Sequence, residues 1–483
     1  MVQTITATRV ATLAGAFSRS PAYAGLADAL TELIGDGRVG LGVRLPSERD
    51  LTTALGVSRT TVTRAYQVLR DTGYAEARRG AGTFTRVPGG RSRAHDRALV
   101  PGSGAEGPDG PGDLIDLNCA ATSAPPGIAA AYGAAVAELP AYLGGHGYFP
   151  AGLPALQAAI ARRYDERGLP TDPDQVVVTA GALAAAALVA QALTGPRDRV
   201  LVESPVYPNA TQAIANSGAR LRAVPVDPGG WDLDAVGAAL DEVRPTLSYL
   251  IADFQNPTGH VMTDAQRATY AGHLRRTGTV AVVDEAHQAL ALDGQAMPRP
   301  FAAFDPRTIT LGSASKSHWG GLRLGWIRAP HDQVERLTRA RLGLDLGAPV
   351  LEQLVLTRLL ASDDVVDRHR ARLREQRDAL LAAVSEHLPE WRFHRPAGGL
   401  ALWCELPAAR GSVLAVEAER RGVVVAPGPA FAAEGGLDRF VRVPWSRPPA
   451  ELAEAVRRLA AAWEAVRDRP ATGSPRRTRV MVA

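Results

Sequence analysis

Residues Ser313–Trp326 read SASKSHWGGLRLGW, and Lys316 within them is the only lysine of the 483-residue chain; of 54 Lys and Arg residues, 53 are Arg. Ala, Gly, Pro and Arg dominate the composition, the mark of a coding bias that writes arginine wherever either cation serves. A lysine that survives such a bias is one that arginine cannot replace. Schiff-base chemistry is that case: a lysine amine can shed its proton once its pKa is lowered, whereas a guanidinium stays charged. Around Lys316, the hydroxyls of Ser313 and Ser315 and the guanidinium of Arg323 form a set able to hold a phosphate dianion. An aldehyde carbon captured by lysine beside a bound phosphate describes pyridoxal 5′-phosphate.

The rest of such a site is sought by its chemistry. The pyridine nitrogen needs a carboxylate, and Asp284 follows the apolar run TVAVV, at a strand end where open α/β sheets place ligands. The phenolic oxygen needs a donor, and Asn256 in FQNPTG also follows a strand. Tyr207 in ESPVYP can cover the ring face. Gly181, Ala182 and Leu183 open a helix after VVVT, where free backbone N–H groups meet phosphate. Arg442 in FVRVPWS can grip a carboxylate through two N–H groups.

TAGALAAAAL, ESPVYP, NPTGH, VVDEA, SASKSHWGGLRLGW and VRVPWS follow the order found in fold-type I aminotransferases, and the stretch from about Leu114 to about Arg467 resembles that family. The resemblance implies an α/β domain with a mostly parallel central sheet. It implies Lys316 as the residue in Schiff-base linkage to the cofactor, Asp284 at the ring nitrogen and Asn256 at the phenolic oxygen. It also implies Arg442 at the α-carboxylate of a substrate or effector. HGYFPAGLPALQAAIA resembles the family's Tyr-and-Gly stretch, in which Tyr148 would approach the phosphate from the other subunit of a homodimer. One departure concerns transamination: DEAH puts His287 where the family carries a tyrosine that bonds the phenolic oxygen. Histidine is able to donate there and titrates near neutrality.

The N-terminal part has a different character. Ser47 and Ser58 are N-caps of two successive helices, Asp50 is placed for a capping box, and Gly56 and Gly73 are stops. Short β-prone pieces flank Gly80–Ala81–Gly82. Three helices and a hairpin make a winged helix-turn-helix. In SRTTV the polar residues open a helix, the end that a recognition helix sends into the major groove. Arg59 can reach a guanine edge or a phosphate, Thr60 and Thr61 can bond phosphates or bases, Arg49 can touch the DNA backbone, and Gly82 lets the wing lie close to the minor groove. The stretch LPSERDLTTALGVSRTTVTRAYQVLRDTGYAEARRGAGTF, with its flanks over residues 22–86, resembles the GntR family of winged-helix regulators and implies those five residues as DNA contacts.

The two parts are joined by VPGGRSRAHDRALVPGSGAEGPDGPGD, rich in Gly, Pro and charge. The expected organisation is a DNA-binding domain over 1–86, a flexible linker over 87–113, a cofactor-binding domain over 114–467 and a basic disordered tail over 468–483. Together they resemble the MocR subfamily, whose members are cytoplasmic homodimers. That resemblance implies a regulator binding a double-stranded DNA operator and sensing pyridoxal phosphate or an amino compound by aldimine exchange at Lys316. Two other readings are an active aminotransferase with a vestigial head, and a regulator whose large domain is only a dimerisation scaffold.

Bulk properties agree. Residues 1–97 carry 14 Arg against 8 Asp and Glu, while the formal net charge of the whole chain is only +4, so the positive charge gathers at the expected DNA-binding end. Two cysteines, Cys119 and Cys404, make no disulfide framework and fit a reducing cytoplasm. No run reaches the roughly 18 apolar residues of a membrane helix. The apolar patch VATLAGAF is expected to be a small helix or arm, not a signal peptide.

Overall fold

The computed structural model describes residues 4–88, except 16, 18–20, 36, 37 and 79, and residues 114–468. Most of the expected linker and tail lies outside them. The described chain forms two compact units. One holds the N-terminal residues up to 88 together with Ala124–Ala134, and the other holds the rest.

The first unit is built on helices α1 (Ala7–Ala14), α2 (Ala22–Gly35), α3 (Glu48–Leu55) and α4 (Arg59–Asp71), then strands β1 (Ala75–Arg78) and β2 (Gly82–Thr85) paired antiparallel. The patch expected as a small helix is most of α1, which Thr6 caps by accepting from the Arg9 N–H. Leu26, Leu30, Leu33 and Ile34 from α2 meet Leu51 from α3 and Val62, Tyr66 and Leu69 from α4 in one core. The spacing of these residues at three and four gives each helix a single apolar face. Both serine caps form: Ser47 accepts from the Asp50 N–H and Ser58 from the Thr61 N–H. Asp50 does not complete a capping box; its carboxylate instead accepts from the Ser47 hydroxyl over 2.7 Å.

In the second unit β3 (Ile115–Asp116) opens the chain. An eight-stranded sheet then forms from β4 (Val176–Thr179), β5 (Arg199–Ser204), β6 (Arg220–Asp227), β7 (Gly230–Trp231), β8 (Leu247–Leu250), β9 (Val280–Asp284), β10 (Ile309–Ser313) and β11 (Gly325–Arg328). Its spatial order is β4-β11-β10-β9-β8-β5-β6-β7. The run β10-β9-β8-β5-β6 is parallel, while β11 and β7 pair antiparallel with their neighbours. Successive residues serve opposite faces, as the pleat demands. Val200, Val202, Tyr249 and Val282 enter one core, and Leu201, Leu250, Ala281 and Val283 enter the other. The apolar run TVAVV, expected to be a strand, lies almost wholly in β9.

A smaller sheet follows, of β12 (Arg392–Phe393), β13 (Ala401–Glu405), β15 (Ala426–Pro427) and β16 (Phe440–Pro444), while β14 (Val423–Val424) pairs in parallel with β3. The helices Asp364–His387 and Pro449–Val466 supply Leu373, Leu380, Leu452, Leu459 and Trp463 to its core. This lobe carries Arg442 on β16. Among the described residues no helix is long and apolar enough to cross a membrane.

Candidate cofactor site and DNA-reading surface

The C-terminal ends of the parallel strands surround a cavity of about 540 Å³. Gly181, Ala182, Leu183, Tyr207, Asn256, Asp284, His287, Ser313, Ser315, Lys316 and Arg323 all line it. These residues are separated by up to 142 positions in the chain and share one wall because each follows a strand of the same sheet.

Lys316 sits in a single wide, π-type turn, Ser315–Trp319, directly after β10. Its Nζ donates to the carbonyl of Ala120 over 3.1 Å. The Lys316 carbonyl accepts from His369 Nε2 at 3.0 Å, which fixes the turn from the helix Asp364–His387. Burial pushes the Lys316 amine down to about 8; Arg442 and Arg323 push the same way, while Cys119 and Asp284 oppose them. A free amine is therefore accessible near neutral pH, which is what nucleophilic attack on an aldehyde requires.

Asp284 ends β9. Its carboxylate accepts from the Ala286 N–H at 2.8 Å and from the Tyr249 hydroxyl at 2.7 Å. Burial raises its pKa, with those two hydrogen bonds and Lys316 opposing the rise. The Asn256 oxygen accepts from Arg442 Nη1 at 3.1 Å, so its Nδ2 is the donor left for the cavity. The Tyr207 hydroxyl accepts from Asn209 Nδ2 at 2.9 Å. The peptide bonds Ser204–Pro205 and Asn256–Pro257, beside these two residues, are cis.

The phosphate end is equally well defined. The helix Ala182–Leu193 starts at the cavity with Gly181 as its N-cap. Its first-turn N–H groups have no intrahelical acceptor. Arg323, held in the left-handed region at φ 50°, donates Nη2 to the Ala180 carbonyl at 3.1 Å and flanks that terminus. A Cβ on Gly325 would lie 2.6 Å from the Ala182 nitrogen. Only glycine lets β11 pass so close beneath the cradle. A buried amine, a buried carboxylate and an anion cradle lining one cavity fit a phosphorylated pyridine aldehyde.

Two residues stand apart. Arg442 is fully buried and lies behind Asn256, outside the cavity wall. Its Nη2 donates to the Asn118 carbonyl at 2.7 Å, and its Nε has no partner among the described residues. Burial lowers its pKa to about 10. Tyr148 is 56% exposed and does not line the cavity of its own chain.

His287 lines the cavity at the position the resemblance singles out. Its Nδ1 lies 3.1 Å from the Phe254 carbonyl, an oxygen that can only accept, so Nδ1 carries the hydrogen. The neutral ring is then an acceptor at Nε2, which is buried and has no hydrogen-bond partner among the described residues. Sequence reading also missed Tyr249, Asn209 and His369. Tyr249 reads as one more apolar residue in LSYL, and His369 sits mid-helix among arginines.

On the first unit, Arg49, Arg59 and Thr60 are exposed and Thr61 is half-buried. The Thr61 hydroxyl is engaged with Ser58 Oγ at 2.8 Å. Thr61 is therefore committed to the helix start before any DNA contact. Glu48 accepts from the Thr63 hydroxyl at 2.6 Å and lies 3.9 Å from Arg59 Nε, which orients the exposed end of α4. Gly82 is the first residue of β2 and not part of the turn itself. Its φ of +108° and a would-be Cβ 2.9 Å from Arg44 Nε both call for glycine. Arg44, exposed beside the wing, is a further cation that sequence reading passed over.

Residues 22–85 match the family described as bacterial regulatory proteins of the gntR family, and residues 137–459 match aminotransferase class I and II. The HTH-type transcriptional regulator YdcR of Escherichia coli is 31% identical over 87% of this chain and 94% of its own length. The chain belongs to the MocR subfamily of GntR regulators. Its aminotransferase part is also 35% identical to the 2-aminoadipate transaminase of Thermus thermophilus, over 59% of this chain and 75% of that enzyme. Among solved structures, LysN, an α-aminoadipate aminotransferase from Thermus thermophilus complexed with N-(5′-phosphopyridoxyl)-L-leucine, superposes with a TM-score of 0.67 at 30% identity, covering 73% of this chain and 93% of that one. The MocR assignment thus joins a DNA-binding head to a body of the fold-type I, pyridoxal-phosphate-dependent class.

Proposed function

We propose that this MocR-type chain is a transcription regulator whose DNA binding is set by an amino compound, or by pyridoxal phosphate itself, at the Lys316 cavity. One observation carries the reading. The two side chains that would engage an amino-acid-like ligand, Lys316 and Arg442, both donate to main-chain carbonyls of one short stretch, at Ala120 and Asn118. That stretch lies immediately beyond residues 87–113, which lead from the DNA-binding head.

The cofactor, when bound, supplies an aldehyde that lysine captures and an electron-poor ring that Asp284 keeps protonated. Lys316, Arg323, Ser313, Ser315 and the 181–183 helix start would hold it, with Tyr207 and Asn256 on the ring. Lys316 cannot both bond a carbonyl carbon and keep its full ammonium contact with Ala120. A carboxylate drawn to Arg442 competes with the Asn118 carbonyl for the same N–H groups. Ligand engagement thus loosens the stretch from Asn118 to Ala120, and a change in its freedom is the differential contact that links site and head. Ser446 and Arg447, which bond the carbonyls of Cys119 and Asp116, hold the same stretch from β16's far end.

The proposed regulator works as a cytoplasmic homodimer. Leu143, Tyr148, Leu342, Leu344 and Leu346 are all large, apolar or aromatic, and at least 43% exposed. The Phe149–Gly347 bridge brings their segments together. A second copy covering this patch would bring Tyr148 toward the partner's phosphate cradle.

The test combines footprinting of the purified chain on DNA upstream of its gene with hydrogen exchange at residues 114–121. Both are run with and without pyridoxal phosphate and a panel of amino acids. The reading expects at least one amino compound to speed exchange at 118–121 and to change the footprint. If affinity, footprint and exchange were identical throughout, the regulator would not be ligand-controlled through this site.

A further inference from the structure

Lys316 and Arg442 bond the carbonyls of Ala120 and Asn118. The residues just beyond, Thr122 and Ser123, are bonded from a different element. His369 and Arg372 stand three positions apart on the helix Asp364–His387 and so share one of its faces. His369 is fully buried. Its Nε2 lies 3.0 Å from the Lys316 carbonyl and 3.4 Å from the Thr122 hydroxyl, and its Nδ1 lies 3.3 Å from Arg372 Nη2. That Nη2 also donates to the Ser123 carbonyl at 2.8 Å, and Nη1 donates to the Ser123 hydroxyl at 3.4 Å. Ser123 is the last residue of its unit before Ala124–Ala134, which group with the N-terminal residues.

The chemistry of these partners fixes the direction of each bond. The Lys316 carbonyl only accepts, so Nε2 carries the hydrogen; Arg372 only donates, so Nδ1 supplies the lone pair. The neutral ring thereby uses both nitrogens. Burial pushes His369 down to about 3, Arg372 and His318 push the same way, and the Lys316 carbonyl opposes them. The ring therefore keeps one donor and one acceptor throughout the physiological range. Neither His369 nor Arg372 lines the cavity, so these bonds join parts of the chain and leave the ligand to others. Further along the same helix Leu373 and Leu380 are locked in the core of the smaller lobe, which gives the pair a firm base.

We propose that His369 and Arg372 are a positioning pair that couples the Lys316 turn to Ser123, where the chain leaves its unit. A carbonyl carbon bonded to Lys316 Nζ takes that nitrogen from Ala120 and re-seats the turn that His369 holds. The imidazole follows the Lys316 carbonyl or loses it, and either outcome alters the Nδ1 contact that orients Arg372. The grip of Arg372 on Ser123 then differs between the free and the engaged lysine, and that difference is what a coupling between two sites requires. The inference rests on ligand engagement at Lys316, and it names the route by which that engagement leaves the site.

The experiment is hydrogen exchange of the full-length chain, resolved to residues 118–121 and 122–124 by overlapping peptides, together with DNA footprinting. Pyridoxal phosphate is the probe, added alone and then with the panel of amino acids. The unaltered chain is compared with His369→Phe, His369→Gln and Arg372→Met, each first checked for an unchanged melting transition and for borohydride labelling of Lys316. In the unaltered chain the probe should change exchange at 122–124 by about two- to tenfold, the range that the net contribution of one hydrogen bond spans. Arg372→Met and His369→Phe should keep the response at 118–121 and lose it at 122–124, and their footprint should no longer respond. His369→Gln, which retains a donor and an acceptor, should restore both. If His369→Phe does not fold, Arg372→Met, whose side chain touches neither the cavity nor Lys316, carries the test. A response confined to 118–121 in the unaltered chain overturns the proposal. So does a response at 122–124, or in the footprint, that is the same in Arg372→Met as in the unaltered chain. Both outcomes leave the ligand site standing. Absence of any response at 118–121 in the unaltered chain overturns the ligand-site reading and this inference with it, so the two failures are told apart.

Discussion

The Tyr249 hydroxyl donates to Asp284 over 2.7 Å, from the strand next to the one that ends in the carboxylate. Asp284 is buried, and burial raises its pKa. The tyrosine is one of two donors that keep it an anion.

Tyr249→Phe removes that donor without opening the core. Asp284 then moves further up, and the protonated carboxyl no longer pairs with a protonated ring nitrogen. A hydrogen bond to a charged group contributes about 1.5–3 kcal/mol. Pyridoxal phosphate affinity should therefore fall by about tenfold or more, and the lower pH limit of binding should move upward. Unchanged affinity across that range would show Tyr249 to be a packing residue only.

Lys316→Ala should abolish covalent capture: borohydride reduction followed by peptide mapping should find a pyridoxyl group on Ser315–Trp319 in the unaltered chain and none in the variant. Non-specific DNA binding should persist, because it comes from phosphate contacts in the head. A pyridoxyl label elsewhere on the unaltered chain would refute the assignment.

Arg59 is 79% exposed at the start of α4, with Glu48 at 3.9 Å. Arg59→Ala should weaken operator binding by about 1–3 kcal/mol and leave cofactor capture intact. Normal operator affinity in a gel-shift titration would remove Arg59 from the reading set.

Glu203 offers a pH test outside the cavity wall. It is fully buried and accepts from Trp231 Nε1, the Ile251 N–H and Gln255 Nε2, which ties it to the loops carrying Tyr207 and Asn256. Burial raises it to about 7 from an ordinary 4.5, against those hydrogen bonds. A folded value above the unfolded one means that the folded state binds the proton more tightly. Its stabilising contribution is thus complete below about 4.5 and is lost as pH rises through about 7. Relative to Glu203→Gln, the unaltered chain should lose up to about 3 kcal/mol of stability between those limits. Parallel denaturation curves for the two proteins at every pH would contradict it.

Much of this was legible in the chain of letters because chemistry restricts residue type. Among side chains only lysine can form a stable Schiff base of this kind, so a chain with one lysine offers a single candidate. Serines before Glu48 and Arg59 cap helices wherever they fall, and β-branched runs such as TVAVV make strands through local stereochemistry. The roles of His287, Tyr249 and Arg442 were not legible in this way. Whether a histidine donates or accepts depends on which carbonyl meets Nδ1, and here that carbonyl is Phe254, on another loop. That Tyr249 supports Asp284 depends on strand register.

The order of residues therefore determined which groups were present and which strand or helix end each would occupy, since those follow from side-chain chemistry and short-range backbone preference. Only the folded sheet decided which of them meet. Hydrogen bonds reach about 3 Å, and neighbours at that range come from strand order and pleat, which bring Ala120 to Lys316 across 196 positions and Asn118 to Arg442 across 324.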